Sequence, residues 1–229
     1  MTDIASNIRS VKTALPPGVK LVAVSKAKSP AEILEAYNAG QRCFGENRVM
    51  ELAGKKDVLP PDIEWHLIGH LQTNKVKYLV PFISMIESVD SFRLLKIIDN
   101  EASKVNRVIS CLLQIHIAEE ETKFGFTMDE LYAMLENADL YKLRNVNICG
   151  VMGMATFTGN REQIRNEFRY LSKCFNDVRN TYFRDNENFK EISMGMSGDY
   201  EIAVEEGSTI VRIGSLIFGA PVKNNKQHT

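Results

Sequence analysis

Leu21-Val22-Ala23-Val24-Ser25-Lys26 is a short apolar run that ends on a lysine, and the way such runs recur decides the fold. Comparable runs follow near 42–45, 64–68, 84–87, 109–116, 146–151, 190–193 and 209–213, which together with 20–25 make eight candidate strands. The stretches between them are longer and carry apolar residues at helical spacing, among them 91–105, 127–137 and 161–180. Short apolar runs alternating with covering helices mark repeated βα units around a parallel sheet. Eight units in 229 residues predict an α/β chain forming a single (β/α)8 TIM barrel over 1–229, with a doubly wound open sheet as the alternative. An extra helix is expected over 2–14. Pro16-Pro17-Gly18 separates it from the first strand, because proline disfavours helix in the residue before it and glycine permits a sharp turn. The polar tail 221–229 has no apolar residues to anchor it beyond Val222 and is expected to fray.

Composition narrows the function classes. Lys and Arg number 28 against 29 Asp and Glu, a net charge of −1, so nothing marks the whole chain as a binder of nucleic acid or anionic membrane. Cys43, Cys111, Cys149 and Cys174 are widely spaced, form no Cys-x-x-Cys pair, and read as small buried hydrophobes with no metal site. The first residues carry no secretory-signal pattern, and no apolar run is long enough to span a bilayer. A reduced, cytoplasmic protein is expected. No heptad pattern or large apolar stripe argues for an obligate coiled assembly, and a monomer or weak dimer is expected.

In a parallel barrel, residues just beyond the C-terminal strand ends converge on one rim. Lys26 falls there after the first strand, Asn47 after the second, Lys123 after the fifth, Met154 after the sixth, Ser197 after the seventh, and Gly214 with Ser215 after the eighth. Alone, Lys26 reads as an exposed loop lysine. To attack an aldehyde its amine must be neutral, which burial or a neighbouring cation such as Lys28 or Arg212 would favour. Ser197, in Ser193-Met194-Gly195-Met196-Ser197-Gly198-Asp199, is expected to cap a helix through Tyr200 to Glu206, a geometry that also receives phosphate. Gly214-Ser215 would supply the other half of a cradle, with a closely approaching backbone and a hydroxyl donor.

Arg212 interrupts the apolar strand Thr209–Ile213 and must find a partner, either a carboxylate or a ligand. Asn47 reads by default as a turn and helix cap. His66, His70 and His116 read as satisfied core histidines, Lys123 as a balance to Glu119-Glu120-Glu121, Met152 as core, and Met154 as pocket lining. An amine and an anion cradle brought together suit a small molecule bearing both an aldehyde and a phosphate, which points to pyridoxal 5'-phosphate.

Several ordered motifs agree with this. Ala23-Val24-Ser25-Lys26, Phe44-Gly45-Glu46-Asn47, Trp65-His66-Leu67-Ile68-Gly69 with Leu71-Gln72-Thr73-Asn74-Lys75, and Ser193–Ser197 running into Val211-Arg212-Ile213-Gly214-Ser215 resemble the YggS/PROSC family of pyridoxal phosphate homeostasis proteins. These are relatives of the N-terminal barrel of bacterial alanine racemase, and the resemblance covers nearly the whole chain. It implies an alanine-racemase-type barrel that binds pyridoxal phosphate and has no dedicated catalytic residues. Lys26 would form the internal aldimine, Ser197 and Gly214-Ser215 would hold the phosphate, Asn47 and Met154 would line the cofactor, and Arg212 would face the pyridine nitrogen.

A cation at that nitrogen disfavours its protonation and makes the ring a poorer electron sink, which favours holding over turnover. After Gly219-Ala220-Pro221 only a short tail remains, with no room for the racemase β-rich domain and its opposing tyrosine. The expected function is therefore a carrier or buffer, with apo-enzymes as possible recipients. The alternatives are an amino-acid racemase using Tyr200 or a residue from another subunit as its second base, and a lysine-dependent aldolase.

Overall fold

The computed structural model describes residues 3–120 and 124–219; Lys123 and the tail 221–229 lie outside the described residues. Eight parallel strands close into a barrel in chain order. They are β1 (Lys20–Val24), β2 (Cys43–Glu46), β3 (Glu64–Leu67), β4 (Met85–Val89), β5 (Ile109–Gln114), β6 (Val146–Met152), β7 (Glu191–Ser193) and β8 (Ile210–Ile213). Helices α1 (Ile4–Ala14), α2 (Pro30–Asn38), α3 (Val49–Lys56), α4 (Phe92–Ser103), α5 (Met128–Leu135), α6 (Arg161–Tyr182), α7 (Tyr200–Glu205) and α8 (Ser215–Phe218) connect or cover them, and the β3–β4 connection contains a 3-10 helix, Thr73–Tyr78. The open-sheet alternative is excluded by the β1–β8 ladder, which pairs Lys20 with Ile210 through Ala23 with Ile213.

Strand alternation sorts the core into two compartments. Leu21, Ala23, Phe44, Trp65 and Leu67 join the helices' apolar stripes in one large cluster outside the barrel, where Phe44 meets Trp65 at 5.9 Å between ring centroids. Val22, Cys43, Leu112, Cys149, Met152 and Ile210 form a small second cluster inside it, with Met85 and Met154 against them. Between the large residues of that inner set sit polar side chains. Helix α6 shows how the outer layer is made: Ile164, Phe168, Leu171, Cys174, Phe175 and Val178 recur every three to four residues and are buried, and the Asn160 side chain caps its first turn by accepting from Gln163 N–H.

The sequence places all eight strands within a few residues. Its largest displacements are at β4, which runs on to Val89, and at β5, which stops at Gln114, beyond which Ile115 still donates to the Met152 carbonyl at 2.8 Å and forms an isolated bridge with Phe126. All four cysteines are buried and free. Among the described residues no helix is long and apolar enough to cross a membrane.

Candidate functional site

Lys26 follows β1 on an exposed turn, and among the described residues no hydrogen bond or ion pair engages its ammonium. The residues on either side of it are fixed. Lys55 of α3, buried, donates to the Ser25 carbonyl at 2.8 Å, to Glu46 Oε1 at 2.7 Å and to Glu51 Oε1 at 2.6 Å. Ser25 Oγ donates to the same Glu46 oxygen at 2.6 Å, and Ala27 N–H donates to Glu51 Oε1 at 2.6 Å. Ala27 itself holds a left-handed φ of 59°, a costly conformation for a residue with a Cβ. A buried ammonium on α3 therefore grips the backbone before Lys26, and its carboxylate partner grips the backbone after it. Burial pushes the Glu46 carboxyl up against the opposing pull of Lys55 and Ser25; for Glu51 burial is outweighed by Lys55 and the Ala27 N–H, and its carboxyl is held low. Lys28, the neighbouring cation expected beside Lys26, is itself paired. Its ammonium is engaged by the Phe218 carbonyl at 2.9 Å and by Glu32 at 3.3 Å.

The two halves of the expected cradle meet. Gly214 N–H donates to Ser197 Oγ at 3.3 Å, and a Cβ on Gly214 would lie 3.2 Å from the Val24 carbonyl, so the β7 and β8 rims abut the end of β1. Ser197 is not a helix cap, however. Asp199 occupies the N-cap of α7 without a side-chain cap bond and instead accepts from Met196 N–H at 2.5 Å, which folds the loop so that Ser197 points to β8. Gly195 makes that fold possible. Its φ is 92°, and a Cβ there would lie 2.5 Å from the Ala203 Cβ. Gly214 precedes α8, whose start has no side-chain cap, leaving the Ser215 end of this short turn exposed at the rim.

Arg212 lies inside the barrel and is buried. It donates to Ser193 Oγ at 2.5 Å and to the Gly153 carbonyl at 2.9 Å, with Glu87 Oε2 3.9 Å away. Ser193 Oγ donates on to Glu87 Oε2 at 2.5 Å, and Glu87 Oε1 meets His66 Nδ1 at 2.6 Å. Four strands thus share one polar chain, β3–β4–β7–β8. For His66, burial works against the charge but the Cys43 sulfur and the Glu87 carboxylate outweigh it and raise its pKa to about 10; for Glu87, burial is outweighed by His66 and Arg212, and the carboxyl is held low. His66 is a satisfied core histidine, as expected. His70 is not: it is exposed, paired with Asp90 at 2.9 Å and stacked on Phe124 at 3.8 Å between centroids. His116 is half-buried on the Glu120 carbonyl at 3.0 Å.

Asn47 is not the cap of α3, a place taken by Arg48 without a side-chain bond. Its Oδ1 is buried with no hydrogen-bond partner among the described residues, and its backbone is crowded by Gly69, where a Cβ would fall 2.4 Å from the Asn47 carbonyl. An orphaned buried acceptor normally costs about 1–3 kcal/mol, so a donor brought by a bound molecule or a water would be stabilised there. Met154 is half-buried against the inner cluster and Met152 fully buried in it.

Residue reading missed Lys55, Glu46, Glu51, Glu87 and Ser193. Two signals were present: Glu51 and Lys55 stand at i,i+4, and Glu87 is a charge inside the apolar run Met85–Val89, the same anomaly that singled out Arg212.

The assembled rim offers a free primary amine on a braced turn, a hydroxyl and amides on the neighbouring strand end, an unsatisfied amide oxygen, and a fixed guanidinium below. Comparisons with known proteins identify the family. The family model for the alanine racemase N-terminal domain matches residues 1–221. The pyridoxal phosphate homeostasis protein of Aquifex aeolicus (strain VF5) is 41% identical over 201 residues, covering 87% of this chain and 86% of its own. PipY of Synechococcus elongatus PCC7942, solved without PLP, superposes with a TM-score of 0.88 at 37% identity, covering 94% of this chain and all of PipY; solved with PLP bound, it gives 0.86 at 36%, again with 94% and 100% covered. With this barrel, these strand-end motifs and these relatives, the chain belongs to the family of pyridoxal phosphate homeostasis proteins, built on the alanine racemase N-terminal domain.

Proposed function

We propose that this protein binds pyridoxal 5'-phosphate and acts in intracellular homeostasis of that cofactor as a carrier or buffer, without dedicated catalytic turnover. The observation that carries the reading is the β1–β8 seam, where the Lys26 turn and the Ser197–Gly214 contact sit on adjacent strand ends. Lys26 would hold the cofactor covalently, its neutral Nζ condensing with the aldehyde with loss of one water. When bound, the cofactor supplies that reversible aldehyde chemistry. Ser197 Oγ, with the amides and hydroxyl of Gly214-Ser215, would receive the phosphate. Asn47 would line the ring with its unsatisfied oxygen and Met154 with its thioether.

Arg212, held by Ser193, Gly153 and Glu87, would face the ring nitrogen as a permanent cation and keep that nitrogen unprotonated. This is why holding is favoured over amino-acid chemistry. The racemase alternative asks Tyr200 to act as the second base, but burial and Glu201 push its phenol up, which disfavours the basic form. Four buried free cysteines fit a reducing cytoplasm, and PLP-dependent apo-enzymes are the natural recipients.

The test is spectroscopic. Purified protein given pyridoxal phosphate should develop visible absorbance that borohydride bleaches, with the reduced adduct mapped to Lys26 and lost in Lys26→Ala. An adduct that survives in Lys26→Ala, on Lys123 for instance, would overturn the assignment. Protein that never acquires the cofactor would favour the aldolase. Multiple turnovers on either enantiomer of an amino acid, abolished by Lys26→Ala, would favour the racemase.

A further inference from the structure

At the other end of the barrel from Lys26, the first residues of β2 and β3 assemble a donor set that the cofactor reading does not use. Glu64 and His66 stand two apart on β3 and therefore share a face, and Cys43 is registered opposite Glu64 on β2. One donor atom from each, the Cys43 Sγ, a Glu64 carboxylate oxygen and a His66 ring nitrogen, all lie within 4.8 Å of one another. Cys43 and His66 are buried, whereas Glu64 is at the surface. His66 Nδ1 is already held by Glu87 Oε1 at 2.6 Å, which leaves Nε2 for the thiol side. A carboxylate fixing the far nitrogen of an imidazole is the usual support of a metal-ligating histidine. A cavity of about 400 Å³, lined by Lys20, Cys43 and Glu64 among others, gives access.

We propose that Cys43, Glu64 and His66 form a binding site for one thiophilic divalent cation of the zinc class, with water from the cavity in the fourth position. A thiolate, an imidazole and a carboxylate select such a cation over magnesium or calcium, which prefer all-oxygen shells. Tetrahedral zinc places such donors roughly 3.5 Å apart, so they close on the ion by side-chain movements on the order of 1 Å. Charge balances as well once the cation has displaced the Cys43 thiol proton and the His66 Nε2 proton to water: the thiolate and the Glu64 carboxylate neutralise the dication, while Glu87 keeps Arg212 as its own counter-charge at 3.9 Å. The competing Lys20–Glu64 pair at 2.9 Å is half exposed and gives way readily.

The experiment uses tag-free full-length protein stripped with chelator and dialysed against zinc chloride, then against cobalt chloride. A single equivalent of zinc should be retained, and cobalt should give the visible bands of a tetrahedral thiolate centre. Cys43→Ser and Glu64→Gln, checked for folding by circular dichroism, should each bind at least tenfold more weakly. Glu87→Gln should weaken binding roughly 10–100-fold through the histidine. In the unmodified protein, zinc should also protect Cys43 from iodoacetamide, read by peptide mass spectrometry, so the proposal is tested even if a variant fails to fold. No retained zinc, equal retention by Cys43→Ser, or alkylation of Cys43 unaffected by zinc would each overturn it.

Discussion

Ser197 joins the late loop to the β8 turn through one hydroxyl, and its removal isolates the phosphate half of the proposed site from the amine half. Ser197→Ala takes away a donor to a dianionic group, a hydrogen bond to a charged partner worth about 2 kcal/mol, or about thirtyfold in affinity. Titration of the apo-protein with pyridoxal phosphate should show that loss, while borohydride still traps the adduct on Lys26. Undiminished affinity would remove Ser197 from the cradle. At this scale the sequence was legible where a residue broke its local pattern. A lysine ending an apolar run and an arginine inside one were both visible, and so was the glycine-serine pair. What stayed hidden was partnership: Arg212 could be assigned a carboxylate in principle, but nothing in the chain's order says that the carboxylate is Glu87, 125 residues earlier on the strand four places away, across the barrel.

Among the elements, α3 has the clearest task beyond covering the barrel. Its Lys55 braces the Lys26 turn from below, and the brace is buried, with side-chain exposures of 8% for Lys55 and 0% for Glu46. Lys55→Met preserves the stem but strands the Glu46 carboxylate, and breaking a buried pair from one side costs on the order of 3 kcal/mol. Urea denaturation should show that loss, and adduct formation at Lys26 should slow because Ser25 and Ala27 no longer hold the turn; an unaltered rate would mean the brace serves stability alone.

Helices α6 and α7 are tied differently, by Glu206 receiving Arg165 at 2.8 Å and Arg169 at 3.1 Å. Burial alone would raise the Glu206 carboxyl, but the two arginines outweigh it and hold it below the ordinary range near 4.5. A group so lowered is protonated first in the unfolded chain, so its contribution is complete above about pH 4.5 and is lost as pH falls through the lowered value. Glu206→Gln should therefore flatten part of the acid limb of a stability-against-pH curve while leaving a smaller difference in that limb from Glu32 and Glu130, also held low. Strand and helix positions were readable because periodicity is local. The caps of α3 and α7 were misassigned because Asn47 and Ser197 are good capping residues by type, yet Arg48 and Asp199 hold the N-cap positions and the Ser197 hydroxyl accepts from Gly214 N–H instead.

At the scale of the molecule, closure of the barrel is what brings the first strand against the last, and length with strand count foretold it. The role of α1 was less visible, since an amphipathic helix preceding the first strand has no obligatory place in a barrel of eight units. The structure packs it on α8 and α2, with Ile4, Ile8 and Val11 buried. Asn7 Nδ2 donates to the Ile217 carbonyl at 3.0 Å, while Lys28 takes the next carbonyl, that of Phe218. The beginning of the chain thus supports α8, the element that opens with Ser215 on the phosphate side of the seam. Ile8 is fully buried in this contact, and Ile8→Ala should cost about 3 kcal/mol in a urea titration, the transfer and cavity terms together. Because the cavity lies behind α8, the same variant should also lose pyridoxal phosphate faster on dialysis than a control with equal destabilisation in a distant helix, such as Ile98→Ala in α4, which is likewise fully buried. Equal release from the two variants would show that α1 stabilises the barrel as a whole and does not specifically hold the phosphate turn.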